Sequence, residues 1–131
     1  MTGLGNRRAL DKALPAAEAD QSLSIVIFDI NNFGAANKEL GHYWGDKYIR
    51  TAAYALAREY SRCFRFGGDE FVAICPKGLE ELTIEFVEHS FGSAFIKHGL
   101  VVSITGSHGN TLAEADEKLQ ELKAIRKARD L

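Results

Sequence analysis

Cysteine is scarce in this chain: Cys63 and Cys75 are the only two among 131 residues. That excludes a disulfide-stapled scaffold, and in an intracellular protein two such thiols read as reduced core residues. Zinc is disfavoured too, because His42, His89, His98 and His108 are scattered and no four-ligand Cys/His cluster exists. No apolar run approaches the roughly 20 residues of a membrane span, and no signal-peptide pattern opens the chain. Neither sign of charge dominates: 16 Lys and Arg against 18 Asp and Glu leave a net charge of −2. Nucleic-acid binders usually carry a basic face, so that class of partner is disfavoured. Repeats and low-complexity tracts are also absent.

What remains is enough for one ordinary globular domain. The chain is 46% hydrophobic and 26% charged, a normal soluble balance. A domain of this length buries roughly two-thirds of its unfolded surface and needs no staple to fold.

Hydrophobic spacing sets the expected elements. Gly5 to about Ala19 reads as a helix with Leu10, Ala13 and Leu14 between polar residues, ended or bent by Pro15. Leu23 to Phe28 is a short, β-branched, near-continuous apolar run, as for a central strand covered on both faces. A loop or short helix follows over 31–41. Tyr43 to about Tyr60 then carries Tyr48, Ile49, Ala52, Ala53 and Leu56 at helical spacing. Residues 61–66 and 71–75 form two strands of a hairpin that Pro76-Lys77-Gly78 closes. Leu79 to about Lys97 is expected as a helix with Leu82, Phe86 and Val87 inward, loosened and ended by Gly92 and Gly99. Leu100 to Thr105 is another inner strand, and Thr111 to Arg129 a charged amphipathic helix that Thr111 and Glu114 start as a capping box. This order predicts an α/β fold of the α+β sandwich kind, with helices on both faces of a mostly antiparallel sheet.

The chemistry concentrates at the hairpin tip, Arg65-Phe66-Gly67-Gly68-Asp69-Glu70-Phe71. Gly67 and Gly68 lack a Cβ, so they can take positive φ and let a ligand approach the backbone. Asp69 and Glu70 present carboxylate oxygens beside that turn, which suits a hard cation and through it a phosphate-bearing substrate. A plain polar turn accounts for the same residues. Asp29 ends the first apolar strand, where an exposed carboxylate at a strand's C-terminal edge often marks a site. Alone it reads better as a helix-capping or turn aspartate. Paired with the tip on a neighbouring strand, it could converge with Asp69 on one divalent ion.

Four ordered stretches give this chain a family resemblance. Gly67-Gly68-Asp69-Glu70-Phe71 is the signature of the GGDEF family, the diguanylate cyclases. The opening Thr2-Gly3-Leu4-Gly5-Asn6-Arg7-Arg8-Ala9-Leu10 resembles the family's first motif. Phe28-Asp29-Ile30-Asn31-Asn32-Phe33, followed by Asn37, Gly41-His42 and Gly45-Asp46, resembles its metal- and guanine-holding segment. Ala115-Asp116, Leu119 and Lys123 resemble its last helix, so the likeness covers nearly the whole chain.

The resemblance implies a palm-like, ferredoxin-like sheet and the condensation of two GTP to cyclic di-GMP. It implies that Asp29, the Ile30 carbonyl and Asp69 bind two Mg²⁺ (Mn²⁺ being an alternative), with Glu70 assisting the metals or the 3′-hydroxyl. The backbone of Asn31, Asn32 and Phe33 is expected to receive the β- and γ-phosphates, beside a tip formed by Gly67 and Gly68. Asn37 and Asp46 match guanine readers, and Lys123 and Lys127 share a helix face toward the triphosphate. Lys127 stands in place of a family arginine, exchanging a bidentate fork for a point charge.

Two departures matter. Gly34 stands where the family usually has lysine, which would slow chemistry without abolishing binding. The inhibitory product site keeps Arg58, but Ser61 replaces its aspartate, so product binding there is expected to be weak or absent. Further expectations are a catalytic domain at 1–131 excised from a longer protein with an N-terminal input domain, and a cytoplasmic location. The parent is allowed a membrane anchor outside this segment, while this domain touches neither membrane nor nucleic acid. Catalysis is expected to need a homodimer, and the isolated domain to be a monomer. The alternative reading is a degenerate GGDEF domain that binds GTP or a partner as a regulatory module.

Overall fold

The structure, a computed structural model, describes residues 4–60, 62–95 and 101–130. Its elements are α1 (Arg7–Ala19), β1 (Leu23–Asn31), α2 (Phe33–Leu40), α3 (His42–Glu59), β2 (Arg62–Arg65), β3 (Glu70–Pro76), α4 (Glu80–Phe91), β4 (Ala94–Phe95), β5 (Val101–Gly109) and α5 (Leu112–Asp130). The strands lie in the order β2-β3-β1-β5-β4, and every ladder between them is antiparallel. The expected sandwich is therefore present.

Alternation along the strands feeds two separate cores. Val26, Phe28, Ile30, Phe71 and Ala73 point to the face covered by Ala36 of α2, Ile49 and Leu56 of α3, and Val87 of α4. Ile25, Ile27, Val72 and Ile74 point the other way, against Leu10 and Ala17 of α1 and Ala115 and Leu119 of α5. Strand β1 is consequently buried on both sides, which its unbroken apolar run requires. Cys63 opposes Ala73 across the ladder, so Cys75 is its diagonal rather than its direct neighbour, and both thiols are free.

Several boundaries move. Asn6 caps α1 by accepting from the Ala9 amide at 2.9 Å. Pro15 does not end α1, which runs four residues further to Ala19. The proline sits on the exposed side while Leu10 and Ala17 anchor the helix to the sheet on either side of it. Strand β1 continues three residues past Phe28, through Asn31. Gly41, at φ 88°, makes the sharp turn between α2 and α3 that a side chain would resist.

The inward stripe of α4 is the clearest correction. Leu82 and Phe86 are 53% and 49% exposed, and the buried apolar positions are Ile84 and Val87. The segment is apolar on two sides, so spacing alone leaves its rotation ambiguous, and docking against β5 and α3 decides it. The helix also stops at Phe91, where Gly92 turns the chain at φ 73° into β4. The rest of the expected helix, 96–97, lies outside the described residues, as do Gly99 and Leu100. Among the described residues, no helix is long and apolar enough to cross a membrane.

Candidate functional site

Strand register builds the site. Asp29 on β1 stands directly opposite Glu70 on β3, and the Ile30 amide donates to the Asp69 carbonyl at 3.1 Å. The hairpin tip is thus fastened beside the last residues of β1. Arg65 braces it from within: Nε donates to the Gly67 carbonyl at 3.2 Å and Nη2 to the Gly68 carbonyl at 2.7 Å. Neither Gly67 nor Gly68 takes positive φ, contrary to the role expected for them. Gly67 instead makes room for Glu70, since a Cβ there would lie 2.7 Å from Glu70 Oε1.

Asp29 is not at an exposed strand end. Because β1 runs on to Asn31, its carboxylate is only 4% exposed. Burial pushes it up, Lys123 pulls it back and nearby Asp69 pushes it up again, leaving it at about 6. Burial also raises Glu70, helped by the charges of Asp69 and Asp116. Lys123 reaches across from α5 and pairs with Asp29 Oδ2, while the buried Oδ1 has no hydrogen-bond partner. Burial alone would lower the lysine; its bond to Asp29 and the charges of Asp29, Asp69 and Glu70 outweigh that and hold it above the ordinary range.

An orphaned carboxylate oxygen beside a second carboxylate fits a hard cation well. Among the described residues no three His, Cys, Asp or Glu side chains gather as a ready metal cage.

Around this centre lies a cavity of about 390 Å³. Asp29 and Asp69 line one wall, the backbone segment 30–34 a second, and Lys123, Arg126 and Lys127 of α5 a third. Asn32 adopts the left-handed conformation, φ 62°, at the start of α2, and its side chain donates to the Val101 carbonyl at 2.7 Å. The Asn31 side chain donates through Nδ2 to Ser103 Oγ at 2.9 Å and Thr105 Oγ1 at 2.7 Å. These bonds lock a turn whose amides can face an anion. Gly34 lines the same cavity, and a Cβ built there meets nothing within 4 Å.

Asn37 on α2 packs against Gly45, the α3 residue before Asp46, and neither Asn37 nor Asp46 lines that cavity. A Cβ at Gly45 would lie 1.8 Å from Asn37 Oδ1, so the Asn37 side chain rests directly on Gly45, next to exposed Asp46. Arg58 is exposed on α3, over the Tyr54 ring at 5.8 Å, away from the cavity. Ser61 lies outside the described residues.

Ser103 and Thr105, which hold the Asn31 side chain, and the bracing role of Arg65 went unread in the sequence. The alternating polar pair Ser103 and Thr105 in an otherwise apolar strand was the available signal.

Comparison with known proteins converges on one family. The family model described as diguanylate cyclase, GGDEF domain, matches residues 1–128. Diguanylate cyclase VdcA of Vibrio cholerae is 32% identical over 95% of this chain and 43% of its own length. Response regulator PleD of Caulobacter vibrioides is 32% identical over 95% of this chain and 33% of its own length. This chain therefore spans less than half the length of these curated relatives. The GGDEF domain of YfiN from Pseudomonas aeruginosa superposes with a TM-score of 0.78 at 23% identity, covering 95% of this chain and 93% of that one. With the signature at the hairpin tip and a family match over all but its last three residues, the chain belongs to the GGDEF domain family.

Proposed function

We propose that this domain is a diguanylate cyclase, joining two GTP into cyclic di-GMP with release of two pyrophosphates. The observation that carries this reading is the buried Asp29 side chain, with one oxygen unpartnered, beside Asp69 in a cavity that Lys123, Arg126 and Lys127 also line. Asp29, Asp69 and the Ile30 carbonyl would hold two divalent ions, Mg²⁺ or Mn²⁺. When bound, these ions neutralise the triphosphate and make the 3′-hydroxyl more acidic.

The chain's own residues do the rest. The amides of 31–33 and the ammonium groups of Lys123 and Lys127 hold the β- and γ-phosphates. Asp46 accepts from the guanine N1–H and N2–H₂, and Asn37 supplies complementary amide contacts. Glu70 sits opposite Asp29, where it can receive the 3′-hydroxyl proton of the incoming substrate. That 3′-oxygen bonds to the α-phosphorus of the second GTP as the bond from phosphorus to pyrophosphate breaks. A second, reciprocal transfer closes the ring. Each domain holds one GTP, so two copies must face each other.

Gly34 favours a second reading, a domain that binds GTP and regulates an attached one. The open space around it would admit the missing lysine, and with it a cation on the cavity wall. Incubating a dimerised form with GTP and Mg²⁺ separates the readings: cyclic di-GMP appears for a cyclase, and bound but unreacted GTP for a binding module.

A further inference from the structure

We infer that Lys123 is a resident counter-ion that closes the Asp29 carboxylate to a bare divalent cation and must leave before a metal can bind there. The inference rests on the divalent-metal reading of Asp29 and Asp69. It begins from burial. A carboxylate only 4% exposed, with a second carboxylate beside it, is costly unless something neutralises it. Lys123 does so through Oδ2. Its own side chain is 40% exposed, so the ammonium is anchored at Asp29 but free to swing into the cavity.

An ammonium on Oδ2 and a dication on the unpartnered Oδ1 would stand on one small carboxylate, close enough to repel each other strongly. Metal entry therefore displaces Lys123, and where the ammonium goes decides the cost. With the cavity filled only by water, the displaced ammonium faces Arg126 and Lys127 on the same wall, both positive. A polyanion in the cavity reverses that balance and gives Lys123 a new partner. Bare metal should thus bind weakly, and metal and polyanion should favour each other through this one side chain. The device keeps the carboxylates neutralised yet unmetallated until substrate arrives.

The test reads metal binding without turnover. Mn²⁺ alone is titrated by electron paramagnetic resonance at mildly alkaline pH, with folding checked by circular dichroism. Lys123→Met should bind Mn²⁺ at least roughly tenfold more tightly than the unmodified chain, a free-energy change of about 1.4 kcal/mol. Lys123→Arg keeps the charge and should stay weak, and Asp29→Asn should lose the ion in either background. A measurement on the unmodified protein guards against misfolding: the ¹⁵N signal of the Lys123 ammonium should hold still when Mg²⁺ is added alone and move when inorganic tripolyphosphate accompanies it. Equal or weaker Mn²⁺ binding by Lys123→Met, with Asp29→Asn still abolishing it, overturns the inference and leaves the metal reading standing. Mn²⁺ binding indifferent to Asp29→Asn removes both.

Discussion

At the scale of single residues, Asp29 and Gly45 make the sharpest claims. Without a metal, burial holds Asp29 at about 6, above the usual carboxylate value of 3.8. Between those two values the folded chain keeps a proton that the unfolded chain has released. The contribution of Asp29 to stability is therefore complete below the unfolded value and lost as pH rises through about 6. Denaturant unfolding in chelator should show the unmodified chain losing up to about 3 kcal/mol relative to Asp29→Asn between pH 4 and 7. Parallel pH profiles for the two proteins would contradict the burial argument.

Gly45 is held by sterics. Gly45→Ala drives a methyl into Asn37 Oδ1, at 1.8 Å before relaxation, so the Asn37 side chain must swing away, while the helix gains up to about 1 kcal/mol from the higher propensity of alanine. The substitution should weaken GTP more than ATP, because it shifts one of the two base readers. An intact GTP/ATP ratio would place Asn37 away from the base.

Asp29, Asp69 and Lys123, which line one cavity, each sit at a fixed offset in a recognisable motif, whereas the base-reading roles proposed for Asn37 and Asp46 rest on the motif alone. The brace from Arg65 and the bonds of Asn31 to Ser103 and Thr105 were not legible in the sequence. The Asn31 bonds depend on strand register across 72 and 74 residues, and the Arg65 brace, though local, depends on how the tip folds back on itself, and a motif encodes neither.

At the scale of elements, the long strands were readable, while the two-residue β4 was taken as helix and one helix face was misread. The run Leu23 to Phe28 could only be a central strand, and it is one; its extension to Asn31 matters more, since it carries Asp29 into the interior. Helix α4 failed because Leu82, Ile84, Phe86 and Val87 support two rotations equally well. The observed rotation predicts an asymmetry in stability. Leu82→Lys and Phe86→Lys should each change stability by no more than about 0.5 kcal/mol. Ile84→Ala should cost roughly 2 kcal/mol or more. The reverse ranking in thermal or urea unfolding would return the helix to the face first expected.

At the scale of the whole molecule, two folds of side chain on one sheet bring α2, α3 and the hairpin tip to one end, with α5 closing over it from the other face. The proposed site takes one nucleotide per chain, while the proposed reaction consumes two. Encounter between copies should limit the rate, and turnover per chain should climb with protein concentration or on fusion to a coiled coil. Gly34→Lys should then raise turnover while leaving GTP affinity nearly unchanged, as for a contact made mainly in the transition state.

The most direct test of the central claim is therefore product formation by a coiled-coil fusion supplied with GTP and Mg²⁺, beside the same fusion carrying Asp69→Ala. The proposed cyclase makes cyclic di-GMP and pyrophosphate, slowly with Gly34 and faster with lysine there, and Asp69→Ala abolishes it. A folded fusion with Gly34→Lys that binds GTP yet yields no cyclic dinucleotide would contradict the account.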